Sequence, residues 1–386
     1  MDALHSLWAE SGLVSLEWRN LVMFGVGGVL ILLAIRKQYE PLLLIPIGFG
    51  AILANLPGAL MSASHAPVDT AGQLGIQPLL QLVYDAGIRT EFLPPVIFLG
   101  VGALTDFRPL LSRPLTFLLG AAAQLGVFVA AIGAHYALGF SQAESASIGI
   151  IGGADGPTTI YLTAILAPHL MGAVAVAAYS YMALVPIIQP PVIRLLTTEH
   201  ERWIDMPQAR PVSQVAVIVF PIATAALSSL LVPACAPLVG MLMYGNLLRE
   251  SGVTERLFKT AGGPLINIVT MFLALAVGAT MEGTSFLQPR TLYILALGAV
   301  AFAFSTAGGV LFAKLMNLFL PRHLKVNPCI GAAGVSAVPM SARVVQTFVT
   351  TATNGKVNPL MPAMGPNVAG VIGTAVAAGA FIALLH

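Results

Sequence analysis

Of 386 residues, 57% are hydrophobic and 9% charged, with a formal net charge of +2; an ordinary soluble domain carries about 25% charged residues. No soluble core hides that much apolar surface, and so small and dispersed a positive balance leaves no surface for nucleic acid. Cys235 and Cys329 show no metal-ligand spacing, which argues against disulfide or metal roles.

Crossing a bilayer as a helix takes about 20 mostly apolar residues, and such stretches follow one another along almost the whole chain. Backbone groups in lipid must be satisfied internally, so the spans are helices or one closed barrel. The run Val22 to Ile35 is continuously apolar, not alternating, which selects helices. The predicted fold class is an all-α polytopic membrane protein. Met1 to Arg19 lacks a basic region followed by a short apolar core, so no cleaved signal is expected and the first span is retained.

In chain order the apolar runs predict about twelve spans, near 20–35, 41–56, 92–104, 115–138, 146–166, 171–192, 213–232, 236–248, 265–281, 291–318, 328–349 and 360–384. The runs 92–104 and 236–248 are shorter than the ~17 residues of a full crossing, as half-helices or re-entrant pieces are. The loop 57–90, rich in Pro, Gly and Ser, has an amphipathic stretch at Leu79 to Tyr84 and is expected to lie on the membrane. Basic residues gather at Arg194, Arg202 and Arg210, at Arg249, Arg256 and Lys259, and at Lys314, Arg322 and Lys325, which the positive-inside rule makes cytoplasmic. Arg36 and Lys37 belong on the same side. Twelve strictly alternating spans would put 193–212 on the other side, so one crossing is miscounted.

An internal repeat is visible. Ile148-Gly149, Gly152 and Pro157 recur as Ile330-Gly331, Gly334 and Pro339 at an offset of 182, and Val-Gly-Ala at 101–103 returns at 277–279. Two repeats are expected, about 18–192 and about 213–385, joined by a cytoplasmic linker at about 193–212. Each holds a Gly/Pro-interrupted apolar segment, the mark of a transporter-like fold with inverted halves and a substrate site at the breaks.

The first interrupted segment, IGIIGGADGPTTIYL, sets Asp155 in an apolar run, where a carboxylate costs about 2.5–3.5 kcal/mol at mid-bilayer. Gly152, Gly153, Gly156 and Pro157 break the helix around it and free backbone carbonyls and amides. One carboxylate among neutral oxygens suits a small hard cation such as sodium. A proton relay and a carboxylate at the membrane edge are the alternatives. The second segment, NPCIGAAGVSAVPMSARVVQ, has no acid but carries Asn327, Ser336, Ser341 and Arg343 around Gly331, Gly334 and Pro339. Arg343 is either an anchor or a holder of a carboxylated ligand. Tyr179 and Tyr181 are either belt aromatics or groups that ligate an ion or carry a proton. Asn367, after Gly365-Pro366, reads equally as interhelical glue and as an ion-site oxygen.

The segments GVGALTDF, GIIGGADGPT, AYSYMALVPIIQPP, GMLMYGNLLRESGV, LINIVTMFL, NPCIGAAGVSAVPMSARV and AMGPNVAGVIG carry a family likeness. Together they resemble the beta subunits of the sodium-translocating, biotin-dependent oxaloacetate, methylmalonyl-CoA, glutaconyl-CoA and malonate decarboxylases, in order from about residue 40 to 384. The resemblance implies a carboxybiotin decarboxylase of the bacterial inner membrane that exports sodium as it consumes a proton. It implies sodium ion and carboxybiotin as the groups handled, the latter held by a partner subunit. Biotin-carrier and carboxyltransferase subunits, a small membrane gamma or delta subunit, lipid and further copies of the chain are the implied partners. By motif, Asp155, Tyr181, Asn327, Gly331, Ser336 and Asn367 match the family's ion site, with Asp155, Tyr181 and Arg343 as catalytic residues and Arg343 at the carboxybiotin. Gly262-Gly263-Pro264 and Cys329 depart from the family pattern, away from these positions. The alternative function is a sodium/proton or sodium-coupled secondary transporter that needs no biotin.

Overall fold

The structure is a computed structural model that describes residues 11–38, 40–57, 79–206, 211–321 and 324–385. The expectations for Met1 to Glu10, for most of the loop 57–90, and for Arg210 and Arg322 fall outside the described residues. Every regular element among the described residues is helical, as the backbone argument requires. We label α1 (Trp18–Lys37), α2 (Pro41–Ala54), α3 (Leu79–Tyr84), α4 (Leu93–Leu104), α5 (Phe117–Ala123), α6 (Leu125–Leu138), α7 (Gln142–Gly149), α8 (Gly156–Leu166), α9 (Met171–Leu196), α10 (Gln214–Leu231), α11 (Ala236–Glu250), α12 (Ile266–Ala279), α13 (Pro289–Phe319), α14 (Met340–Ala352) and α15 (Leu360–Leu385).

Among the described residues, six helices are individually long and apolar enough to cross a membrane: α1, the run 114–138, α10, the run 255–279, α13 and α15. Two further pairs qualify across a bend, Leu79–Arg89 with Leu93–Leu104 at 66°, and Pro168–Met182 with Leu184–Leu196 at 63°. The chain is thus a multi-pass membrane protein. The amphipathic α3 is the first limb of one bent pair, with Leu80 and Tyr84 buried in the same apolar cluster as Leu273 and Val277 of α12.

Small residues set the helix packing. A Cβ at Gly27 of α1 would lie 2.6 Å from the Gly48 carbonyl of α2, and the reverse holds for Gly48. Gly50 and Gly278 bring α2 onto α12 in the same way, and Gly102 and Gly245 bring α4 onto α11. Lipid tails give no hydrophobic drive between helices, so close backbone approach supplies the dispersion contact instead.

Four of the twelve predicted spans are not among these eight: α2 and α11 are short, at 14 and 15 residues, and the other two fold back. Segment 142–166 enters as α7, turns at 153–155 and returns as α8, bringing Glu144 back within 2.9 Å of His169. Segment 328–352 enters as a 3₁₀ stretch, Pro328–Gly334, and returns as α14. Across its two arms Ser341 Oγ donates to the Ala332 carbonyl at 3.2 Å. Both segments are as apolar as a span because they are enclosed by protein, with the whole run 144–156 buried; hydropathy does not distinguish that surrounding from lipid.

The hairpins open on opposite faces. The mouth of the first lies at His169, where α9 begins, and the mouth of the second at Asn327, whose amide donates to the carbonyls of Arg202 and Ile204 just past the end of α9. Lys314 pairs with Glu201 of the basic linker, and Arg108 and Arg249 are tied together through Glu250 and the Leu104 carbonyl.

Candidate cation site where the hairpin tips meet

The first tip is built from local chemistry. Ser141 and Glu144 form a capping box that starts α7. The chain then tightens into a 3₁₀ turn at Ile150–Gly153 and reverses through Ala154, whose φ of 53° is left-handed. Asp155 is the N-cap of α8, its carboxylate accepting the Thr158 amide at 3.2 Å, and Pro157 sits in the first turn. The tip lies level with Tyr179 on α9, whose ring fills the space a Cβ at Gly156 would need. Tyr179 is eight residues into α9, about 12 Å along its axis.

The second tip meets it directly. The Ser336 amide donates to the Gly153 carbonyl at 2.8 Å, so Asp155 and Ser336 sit on touching loops. Asn367 of α15 holds the second tip from behind: its amide donates to the carbonyls of Ala333 and Val335, at 3.0 and 2.8 Å, which leaves its Oδ1 buried without a partner. Gln189 Oε1 and the Tyr179 hydroxyl are likewise buried without a hydrogen-bond partner. Such groups are costly to leave unmatched, and all of these are oxygens, the donors a hard cation takes. No cluster of three or more His, Cys, Asp or Glu exists among the described residues. The available donor set is one carboxylate plus neutral oxygens, which fits a monovalent ion better than zinc or iron.

The structure brings some of the sequence-selected residues together and leaves others apart. Asp155, Ser336 and Asn367 converge on the tips. Asn327 lies at the mouth of the second hairpin, where its Oδ1 caps Cys329 at 3.1 Å and its amide holds the linker carbonyls, so its hydrogen-bonding capacity is used structurally. Gly331 is packed backbone to backbone on Gly309 of α13. The Tyr181 hydroxyl donates to the Leu295 carbonyl of α13 and not to Asp155; Tyr179, two residues earlier, is the tyrosine against the Asp155 turn. Helical spacing explains the exchange, since residues two apart point to different faces.

Arg343 lies in a cleft of about 560 Å³ lined also by Arg194, Arg202, Met340, Thr347 and Phe348. Arg202 is fixed there, donating to the Thr197 and Arg194 carbonyls and stacking 5.4 Å over Phe348. The sequence reading missed Gln189, whose amide donates to the Ala332 carbonyl at 2.8 Å and Ser341 Oγ at 2.7 Å and so ties α9 to both arms of the second hairpin. An amide between two prolines in an apolar run was the available signal.

The sequence has close relatives among known proteins. Residues 19–385 match the model described as the Na+-transporting oxaloacetate decarboxylase beta subunit. The chain is 54% identical to the methylmalonyl-CoA decarboxylase subunit beta of Veillonella parvula, covering 99% of this chain and 98% of that one. It is 54% identical to the glutaconyl-CoA decarboxylase subunit beta of Acidaminococcus fermentans, again over 99% and 98%. It is 49% identical to the probable oxaloacetate decarboxylase beta chain of Vibrio cholerae, over 99% of both. The chain belongs to the family of beta subunits of Na+-transporting decarboxylases.

Proposed function

We propose that the protein decarboxylates carboxybiotin presented by a carrier subunit and couples that reaction to sodium export and proton uptake. The observation that carries this reading is Asp155, buried where two hairpins that open on opposite faces touch. A cation bound there is reachable from either side when one tip moves. Broken helices meeting near the midplane, with half-helix ends at the site, are the arrangement that alternating access uses. On this reading the halves at about 18–192 and 213–385 are inverted repeats, and their opposite hairpins are the moving parts.

Sodium is held by Asp155, Ser336 and Asn367. Asn327 and Gly331 maintain the hairpin that carries Ser336, and Tyr181 fixes α9 on α13. Carboxybiotin enters the cleft on the basic face, where Arg343 and Arg194 meet its carboxylate and Phe348 and Met340 cover its apolar rings. Its N–CO₂ bond breaks to release carbon dioxide, and the ring nitrogen takes up one proton. A tyrosine of α9, Tyr179 or Tyr181, hands on that proton. Moving one charge against 100 mV costs about 2.3 kcal/mol, and each tenfold sodium gradient adds about 1.4 kcal/mol. The chemical step must therefore be blocked until the ion is bound, and Gln189, which bridges α9 to both arms of the second hairpin, links the cleft to the tips. The partners are the biotin-carrier and carboxyltransferase subunits, a small membrane subunit and further copies of the chain.

The test is Asp155→Asn in proteoliposomes with the biotinylated partner. Sodium uptake and sodium-stimulated decarboxylation are both expected to vanish. Persistence of both would refute the assignment, and decarboxylation indifferent to sodium in the unaltered protein would refute coupling.

A further inference from the structure

Beside the two tips, Ser336 joins further buried oxygens, on Thr374 and Gln124, that no ion-site motif includes. Thr374, near the middle of α15, is fully buried, as are Gln124 at the junction of α5 and α6 and Ser336 on the second tip, at 4% and 7% exposed. Thr374 Oγ1 lies 2.6 Å from Ser336 Oγ, 3.1 Å from Gln124 Oε1 and 3.0 Å from the Gly370 carbonyl. It also touches the first tip, since a Cβ on Gly153 would come within 2.7 Å of that same oxygen. Thr374 is thus a residue of the surrounding helices in contact with both hairpin tips at once.

The protons do not match the contacts. Three oxygen–oxygen approaches meet at Thr374, yet only the Ser336 and Thr374 hydroxyls carry a hydrogen. The Gln124 amide cannot supply another, because its nitrogen donates to the Gly120 and Gly370 carbonyls and this orientation turns Oε1 toward Thr374. An oxygen-rich, hydrogen-poor cluster against the loop that bears Asp155 is an environment suited to a small cation, whose ligands are hydroxyl, amide and backbone oxygens.

We propose that Thr374, oriented by Gln124, is a cation ligand of the tip site together with Asp155 and Ser336, and that it sets the affinity for the transported ion. This rests on the function proposed above. Because α15 belongs to neither hairpin, Thr374 supplies a stationary oxygen against which the two tips close.

The experiment measures decarboxylation by the assembled complex against sodium concentration, alongside the sodium-induced thermal shift of the purified protein without turnover. Thr374→Val keeps the shape and removes the hydroxyl. It is expected to raise the sodium concentration for half-maximal stimulation about tenfold, equivalent to about 1.4 kcal/mol, with the rate at saturating sodium largely kept. Thr374→Ser is expected to restore the half-saturation, and Gln124→Leu to move it in the direction of Thr374→Val. If Thr374→Val does not assemble, Gln124→Leu and Thr374→Ser carry the test through the thermal shift. An unchanged half-saturation with a reduced maximal rate would overturn the inference, because it marks a packing role. Asp155→Asn run in parallel separates the two readings: if it abolishes sodium stimulation while Thr374→Val matches the unaltered protein, only this inference falls. Stimulation that survives Asp155→Asn overturns both.

Discussion

Gly331 was selected from the sequence as an ion ligand, whereas its surroundings point to packing, and a pair of substitutions separates the two. In Gly331→Ala the new Cβ would lie 2.8 Å from the Val310 nitrogen and closer still to the Gly309 carbonyl group; in Gly309→Ala it would lie 2.7 Å from the Gly331 carbonyl carbon. Ordinary contact begins at 3.4 Å, so α13 and the 3₁₀ arm must separate by more than half an ångström in either variant. Both atoms met are backbone, so no side chain can swing aside. Overpacking of this kind costs about 1–3 kcal/mol, and it should cost the same from either side of the contact. Thermal unfolding of each purified variant, with and without saturating sodium, reads this out. Both variants are expected to lose stability equally, by an amount independent of sodium. If Gly309→Ala is silent while Gly331→Ala weakens the response to sodium, the packing account is wrong and the ligand role stands.

Gln189→Leu removes both donors that tie α9 to the second hairpin. Interhelical hydrogen bonds in membranes contribute about 0.6 kcal/mol on average and about 1.7 kcal/mol at most, so a loss of about 1–3 kcal/mol is expected, together with slowed coupled transport; an unaltered melting temperature and rate would show the bridge to be idle. Glu250→Ala removes the carboxylate that pairs in a fork with Arg108, at 3.1 and 2.5 Å, with the Glu250 side chain only 3% exposed. Arg108 is 41% exposed and keeps its hydration, so the expected loss is about 1–2 kcal/mol, below the 3–5 kcal/mol of a fully buried pair. It should appear as loosening of α4 from α11 in hydrogen exchange, and unchanged exchange at 100–106 would refute it.

Legibility differed from residue to residue for physical reasons. Asp155 could be found because an acid among glycines in an apolar run is expensive, and expense is visible in one dimension. Ser336 and Asn367 stand out through their helix-breaking neighbours. The residues alone leave Tyr179 and Tyr181 equivalent, and only the family motif favours Tyr181, because a one-dimensional pattern does not give the face each side chain takes. Thr374 and Gln124 carried no local signal, since a lone Thr or Gln in an apolar helix is ordinary and their meaning lies in what stands opposite.

By itself the sequence determined the solvent of this protein, its helical class, the two broken segments and the single acid between them. Each follows from composition or from the local cost of a residue in lipid. Only the tertiary structure decided that the broken segments fold back, because an apolar run enclosed by other helices is indistinguishable by hydropathy from one facing lipid. It also brought the Ser336 amide and the Gly153 carbonyl, far apart in the chain, to 2.8 Å, setting the loop that bears Asp155 against the second tip.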